Sequence, residues 1–115
     1  MNKYHTVKKN EDFYNAIHNG FYLKNNLYTI YINDNKIDRF RIGISVSKKI
    51  GNAVHRNYYK RQTRSIIDKY KKNYQIGYDY IIILRKDFSS SSFEEKDRLF
   101  NELLIKLNNR FLKEK

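Results

Sequence analysis

The sequence predicts an α+β fold in which helices pack on a mainly antiparallel sheet. Three segments, 27–32, 40–46 and 78–84, are rich in β-branched and aromatic residues and are bounded by turn-forming residues, as strands are. Other segments repeat apolar residues at helical spacing. The predicted order is α-β-β-α-β-α. The length of 115 residues suits a single domain, residues 1–115, and no second domain is expected.

The first helix is predicted between Asn10 and Gly20. Two acids follow Asn10 and suit the positive end of a helix, and Gly20 is typical of a position just beyond a helix end. Phe13, Ala16 and Ile17 recur at i, i+3 and i+4. This spacing gives the helix one apolar face.

The strands 27–32 and 40–46 are predicted to pair as a β-hairpin. The segment between them at 33–36, Asn-Asp-Asn-Lys, is a cluster of turn-forming residues. Apolar residues alternate with polar or small ones from Phe40 to Val46. One face of the second strand is therefore predicted to be buried.

A long central helix is predicted from Asn52 to about Asn73. Its apolar residues have the spacing of a helix that lies on a sheet. They are Tyr59, Thr63, Ile66, Ile67 and Tyr70.

The last helix is predicted to begin at Ser92, which has the capping-box spacing to Glu95. Before it, Gly77 breaks the helical pattern, and the segment 78–84 is typical of a buried strand. The apolar stripe of the last helix comprises Leu99, Phe100, Leu103, Leu104, Leu107 and Phe111.

The charge of the chain predicts a polyanionic partner. The 24 Lys and Arg outnumber the 12 Asp and Glu, and the net charge of +12 attracts nucleic acid. The window 48–72 holds nine Lys or Arg and one acid, so it supplies +8 of this charge. The longest apolar stretch, 80–84, is too short to span a bilayer, and no membrane partner is expected.

The cations of the central helix are predicted to share one face. At 100° per residue, five residues of this helix occupy an arc of about 140° beside the apolar stripe, namely Arg56, Asn57, Lys60, Arg61 and Arg64. Lys48 and Lys49 precede the helix and add to the positive end of its dipole, which favours a phosphate. The alternative is a solvated face that is basic without a ligand. A solvated face normally mixes both signs, and this one does not.

The sequence contains no arrangement typical of independent catalysis. His5, His18 and His55 lack the spacing of metal ligands, and no Gly-rich phosphate loop is present. No Cys is present, so disulfides and thiolate metal sites are excluded. We therefore expect no catalytic residue, no metal site and no organic cofactor on this chain.

Aromatic residues form a second candidate surface. The chain has 11 Tyr and 7 Phe, and rings can stack on the bases of single-stranded nucleic acid. Phe13 and Tyr31 are the first candidates. The alternative for each is packing in the core.

A specific pattern runs from Lys48 to Arg64. It comprises Lys-Lys at 48–49, Gly-Asn-Ala-Val at 51–54, Arg-Asn at 56–57, Lys-Arg at 60–61 and Arg64. The pattern resembles the signature of the bacterial ribonuclease P protein subunit. The segments 8–13 and 41–47 fit the first-helix opening and a strand of that family. The resemblance covers nearly the whole chain.

The resemblance implies the protein subunit of a ribonucleoprotein endoribonuclease that removes the 5′ leader from precursor tRNA by hydrolysis. In that family the RNA subunit and its Mg²⁺ ions perform the cleavage, while the protein widens the substrate range and lowers the Mg²⁺ requirement. The expected partners are the catalytic RNA and precursor tRNA, with no obligatory protein partner. The start of the sequence is unlike a secretory signal, and a cytoplasmic location is expected.

The family's functional residues carry over to this chain by motif. The family uses its basic helix face against the RNA subunit and a cleft between that helix and the sheet against the leader. The implied RNA-binding residues are Lys48, Lys49, Asn52, Arg56, Asn57, Lys60, Arg61 and Arg64. The implied leader-cleft residues are Lys8, Lys9, Phe13, Ile17 and Tyr31.

The resemblance also implies a left-handed β-α-β crossover, as in a related ribosomal-protein and elongation-factor domain. Crossovers are otherwise right-handed in about 98% of cases. The chain departs from the family pattern at Tyr58, where a third Arg is common, so one phosphate contact is lost or replaced by stacking. It also departs at Ile17, where an aromatic is common, and at Gln62-Thr63, which is usually more aliphatic.

Two other functions are compatible with these residues. One is a plain RNA-binding or ribosomal assembly protein of related fold, and the other is a protein-only nuclease. Only a ribonuclease P subunit should stimulate precursor-tRNA cleavage by a ribonuclease P RNA at low Mg²⁺. A protein-only nuclease needs converging carboxylates, which are scarce here.

Overall fold

The computed structural model describes residues 5–6 and 10–113, with the backbone alone for residues 5, 6, 10 and 12. Two short 3-10 helices, Lys71–Asn73 and Lys86–Ser90, accompany three α-helices and five strands. The helices and strands are β1 His5–Thr6, α1 Asn10–Asn19, β2 Phe21–Lys24, β3 Tyr28–Asp34, β4 Arg41–Val46, α2 Ala53–Lys69, β5 Tyr78–Leu84 and α3 Phe93–Lys113.

The five strands form one mixed sheet in the order β1-β4-β5-β3-β2. The pairs β2/β3 and β3/β5 are antiparallel, whereas β4/β5 and β1/β4 are parallel. Helices pack on this sheet, so the predicted α+β class is confirmed. None of the helices in the described part of the chain is long and apolar enough to cross a membrane.

The predicted hairpin between 27–32 and 40–46 is wrong. The last strand, β5, lies between β3 and β4, and Ile82 is registered with Ile30 on one side and with Ile44 on the other. The antiparallel neighbour of β3 along the chain is β2, which was not predicted. The predicted turn at 33–36 also begins later, because β3 continues to Asp34 and Lys36 has a positive φ of 59°.

The strands β4 and β5 are joined by α2 in a parallel β-α-β unit. The helix α2 begins where it was predicted to, and the structure shows Asn52 as its N-cap. The helix ends at Lys69, earlier than the predicted Asn73, because the chain tightens into a 3-10 turn over Lys71–Asn73. Gly77 then has a φ of 95°, a conformation that favours glycine, directly before β5.

The main core lies between one face of the sheet and the helices α2 and α3. The predicted stripes of both helices are confirmed, since their central residues are buried and the outer members pack at the edges. The fully buried helix residues are Thr63, Ile66, Ile67, Phe100, Leu104 and Leu107. They face Tyr28, Ile30, Ile32, Ile42, Tyr80, Ile82 and Leu84 of the sheet.

The other face of the sheet carries α1. Ala16 and Ile81 are buried there, with Phe13, Tyr31 and Ile83 packed around them. Gly43 of β4 lies under this helix, and a Cβ at this position would come within 2.8 Å of both the Phe13 ring and the Ile81 side chain. The absence of a side chain at Gly43 therefore lets α1 lie close to the sheet.

The start of α3 follows the predicted capping pattern. The Ser92 hydroxyl accepts a hydrogen bond from the Glu95 amide at 3.1 Å, and the Ser92 carbonyl accepts one from the Lys96 amide at 2.9 Å. Buried hydroxyls also bond to this helix. Tyr28 donates to the Lys96 carbonyl at 2.7 Å, and Tyr80 donates to Asn108 Oδ1 at 2.8 Å.

Candidate nucleic-acid interface

The start of α2 places three predicted RNA-binding residues together. Lys48 and Lys49 are exposed in the turn that precedes the helix, and Asn52 is its N-cap. The Asn52 side-chain oxygen accepts the His55 amide at 3.0 Å, so part of this side chain is already used in folding. Its amide group remains able to donate to a phosphate or base. Two lysines and a helix N-terminus thus meet at one end of α2.

The outer side of α2 carries the other predicted RNA-binding residues. Asn57, Arg61 and Arg64 are exposed, whereas Arg56 and Lys60 are half-buried. Together with Lys48, Lys49 and Asn52, these residues form what we call the basic face. Within the described part of the chain, none of its cations forms an ion pair. Their charge therefore remains available to an external anion.

Arg56 lies at the inner edge of the basic face. Helical projection puts it at nearly the same angle as Ile67 of the apolar stripe, which explains why it is half-buried. Its Nε atom is buried and has no hydrogen-bond partner among the described residues. A partly desolvated guanidinium gains more from a phosphate than a fully hydrated one, because less water must be displaced.

The structure places the predicted leader-cleft residues on the opposite face of the sheet. Phe13 and Ile17 lie on α1, Tyr31 lies on β3, and all three are half-buried. Lys8 and Lys9 lie outside the described residues. The expected cleft between the basic helix and the sheet is therefore wrong, because core side chains fill the space beneath α2. Phe13 and Tyr31 pack instead between α1 and the sheet, and Ile17 is a half-buried residue of α1.

Tyr22 was missed from the sequence. It lies on β2 directly across from Tyr31, is 49% exposed, and its ring centre is 5.0 Å from that of Tyr31. It therefore extends the aromatic surface from β3 to the sheet edge. A sequence signal that could have found it is the run Phe21–Leu23, two aromatic residues and a leucine between Gly20 and the turn-forming Asn25-Asn26, which is typical of a short strand.

The described residues contain no group of three or more His, Asp or Glu side chains that could hold a metal ion. Asp97 of α3 contacts the C-terminal end of α2 and has a structural role there. Asp97 accepts hydrogen bonds from Lys69 Nζ, at 2.8 Å, and from the Tyr70 hydroxyl. Burial opposes ionisation of Asp97, but these bonds prevail and hold its pKa below the usual value.

Comparison with known proteins identifies the family to which a chain with this arrangement belongs. The family model described as Ribonuclease P matches residues 1–108. The chain is 40% identical over 108 residues to the ribonuclease P protein component of Mesoplasma florum, covering 93% of this chain and 94% of the relative. It is 41% identical over 96 residues to the component from Bacillus cereus strain AH187, covering 83% and 84%.

The chain belongs to the ribonuclease P protein family. Its members are subunits of the RNA–protein enzyme that processes the 5′ end of tRNA. The RNase P protein of Staphylococcus aureus, solved at 2.0 Å, matches with a TM-score of 0.80 and 36% identity over 89% of this chain and 94% of that one. The protein from Thermotoga maritima matches with a TM-score of 0.75 and 30% identity over 86% and 94%.

Membership of the ribonuclease P family implies an RNA subunit as the partner of this chain. The enzyme has an RNA subunit, and the family resemblance predicted from residues 48–64 is confirmed. The confirmed activity is that of a ribonucleoprotein endoribonuclease of which this chain is the protein component.

Proposed function

We propose that this chain holds the catalytic RNA on its basic face and the 5′ leader of precursor tRNA on the α1 side of its sheet. The observation that carries the proposal is the group of cations on the basic face, none of which forms an ion pair within the described residues. A protein component of ribonuclease P has an RNA subunit for such a face to bind.

The basic face binds phosphates by two different means. Lys48 and Lys49 act as mobile point charges beside the N-terminus of α2, whereas the guanidinium groups of Arg56, Arg61 and Arg64 bind phosphate oxygens in a fixed, paired geometry. Neutralised phosphates release counterions, so binding weakens steeply as salt rises.

The α1 side suits a flexible single strand. Phe13 and Tyr31 are half-buried, so each presents part of its ring to solvent while the rest packs in the small core between α1 and the sheet, and Ile17 adds a half-buried apolar side chain on α1. Bases of an unpaired leader stack on such rings without a requirement for sequence. The chain thus binds many precursor tRNAs, and it widens the substrate range of the RNA.

Mg²⁺ enters this function through the RNA. The RNA holds the ions that activate water for hydrolysis, and the protein supplies no ligand to them. The positive chain neutralises nearby phosphates, so fewer Mg²⁺ ions are needed to fold the RNA and bind substrate. The subunit works in the cytoplasm, needs no second protein, and cleaves nothing alone.

Reconstitution tests the proposal. The chain is added to a ribonuclease P RNA with precursor tRNA at low Mg²⁺, and release of the 5′ leader is followed. We expect cleavage with RNA and protein together, little with RNA alone, and none with protein alone. Well-folded protein that fails to stimulate the RNA would refute the proposal. Cleavage by protein without RNA would indicate a protein-only nuclease.

RNAs with and without a leader distinguish binding on the α1 side of the sheet from binding on the basic face. Phe13→Leu or Tyr31→Leu should weaken binding of precursor tRNA with a leader more than binding of mature tRNA, because only the former has a strand to stack. Thermal unfolding of each variant is the control, since Phe13 also packs against Gly43. Equal loss for both RNAs in a folded variant would place these residues in the core alone.

A further inference from the structure

A line of hydrogen bonds crosses from α3 to the outer edge of α2. Lys96 Nζ donates to Gln62 Oε1 at 2.9 Å, and Gln62 Nε2 lies 3.2 Å from the Tyr58 hydroxyl, to which it donates. The guanidinium carbon of Arg61 lies 5.8 Å from the centre of the Tyr58 ring. We call these four residues the Tyr58 link. It connects the protein interior with a cation of the basic face.

Lys96 anchors the inner end of the link. The residue is 4% exposed, and its Nζ atom lies 4.4 Å from the centre of the Phe88 ring and 5.4 Å from that of Tyr59. Burial lowers the pKa of Lys96, because the surroundings solvate its charge less well than water does. Gln62 is its hydrogen-bond partner within the described residues.

The buried ammonium fixes the orientation of Gln62. An ammonium group only donates, so the Gln62 carbonyl must face Lys96 and the Gln62 amide must face outward. The amide then meets the Tyr58 hydroxyl as its acceptor. The position of the Tyr58 ring is thereby set from within the molecule and not by solvent.

The outer end of the link is an open aromatic ring. Tyr58 lies about 60° beyond Arg61 around the helix, so it continues the basic face toward α3. Its side chain is 47% exposed, even though its hydroxyl is held. A fixed, solvent-facing ring beside a guanidinium is a surface on which an unpaired base stacks.

We propose that Tyr58 is a base-stacking contact of the basic face and that Lys96, acting through Gln62, is its positioning residue. The ligand is an unpaired nucleobase of the RNA that binds this face. The inference rests on the proposed function and adds to it a contact with a base, whereas the other contacts of the basic face are with phosphates.

Titration of the ribonuclease P RNA with the intact chain over a range of salt tests the contact. Tyr58→Leu removes the ring and should weaken binding by about tenfold, the effect of one lost stack, with an unchanged salt slope. Tyr14→Leu is the matched control, because it removes a 62% exposed ring from α1, on the other side of the sheet. Wild-type affinity for Tyr58→Leu, or a flatter slope, would overturn the stacking role.

A double-mutant cycle tests the positioning. Lys96→Met keeps an apolar stem against Phe88 but removes the bond to Gln62, and we expect a loss of about threefold that disappears in the Tyr58→Leu background. An equal loss in both backgrounds would mean that Lys96 acts on the fold in general and would overturn its positioning role. If Lys96→Met does not fold, Gln62→Met breaks the same link at its middle and replaces it in the cycle.

The wild-type chain separates failure of this inference from failure of the proposed function. If the wild type neither binds nor stimulates the ribonuclease P RNA, both fall together. If the wild type binds and stimulates the RNA while Tyr58→Leu binds equally well, the inference alone falls.

Discussion

The helices α2 and α3 pack on the same face of the sheet, yet their outer sides differ. Both bury an apolar stripe in one core. The helix α3 carries both signs, and two of its charges form ion pairs, Arg98 with Glu102 at 3.1 Å and Asp97 with Lys69 of α2 at 2.8 Å. The cations of the basic face form no ion pair within the described residues, and Asp68 is the only acid of α2. Packing therefore determines the inner side of each helix but not the outer side of α2, for which we propose an RNA ligand.

The largest expected effect concerns the core that the apolar stripes of the two helices share. Phe100 is fully buried, and its ring centre lies 5.3 Å from that of Tyr28. Phe100→Ala should lower the free energy of unfolding by about 3–5 kcal/mol, because it leaves a cavity in the core. Urea unfolding measures this loss.

The matched control for Phe100 is Ile105→Ala, which removes a 45% exposed side chain from the outer side of α3. It should change the free energy of unfolding by less than about 0.5 kcal/mol. Equal losses for the two variants would contradict the division into a packed inner side and a free outer side.

The next effect concerns the outer sides themselves. Arg56→Ala or Arg64→Ala should weaken binding to the RNA subunit and lower the log–log salt slope by about 0.7 for each lost contact to a single strand. Arg98→Ala on α3 is the control and should leave the slope unchanged, since Arg98 is paired with Glu102. Binding curves at several salt concentrations give the slopes. An unchanged slope for Arg64→Ala would place that residue in solvent.

The two N-caps allow a closer comparison. Asn52→Ala and Ser92→Ala should each lower the free energy of unfolding by about 1 kcal/mol, because each side chain accepts an amide of the first turn. Asn52→Asp should retain the cap but weaken RNA binding, since it adds a negative charge beside Lys48 and Lys49. Unfolding and binding, measured on the same variants, separate the two roles. Unimpaired RNA binding by Asn52→Asp would remove Asn52 from the basic face.

The last effect is absent at neutral pH and appears only in alkali. Burial beside α3 raises the pKa of Tyr80 to about 12, whereas an unfolded tyrosine titrates near 10. Above pH 10 the unfolded chain loses a proton that the folded chain retains. The stability from this group is therefore complete below pH 10 and lost as pH rises to about 12.

Tyr80→Phe isolates this titration. The variant also loses the bond to Asn108, so its unfolding free energy is compared with its own value at neutral pH. Its stability should fall less steeply between pH 10 and 12 than that of the wild type. Denaturant midpoints across this range measure the slope, and identical slopes would assign the alkaline loss to other groups.

Periodicity predicted what local physics determines. The stripes of α2 and α3, the cap at Ser92 and the strand 78–84 all depend on residues a few positions apart, and all are confirmed. The hairpin was wrong because a turn cluster indicates where the chain reverses and not which strand it finally pairs with. Pairing with β5 depends on residues far along the chain.

The candidate site also has one part that the sequence predicts and one part that it does not. The basic face follows from helical spacing, because its residues lie on one helix. The position of Phe13 and Tyr31 relative to α2 does not, since it depends on which face of the sheet each helix covers. Lys96 is a polar residue at a buried position, and only its contact with Gln62 of another helix shows why it is tolerated.

The position of β5 in the middle of the sheet has a consequence during synthesis. A nascent chain that has not yet extended past Tyr78 contains β3 and β4 without their shared neighbour, so both strands have open edges. Such edges favour aggregation until they are covered. The ribosome must therefore release β5, and with it nearly three-quarters of the chain, before the sheet that supports α2 can close.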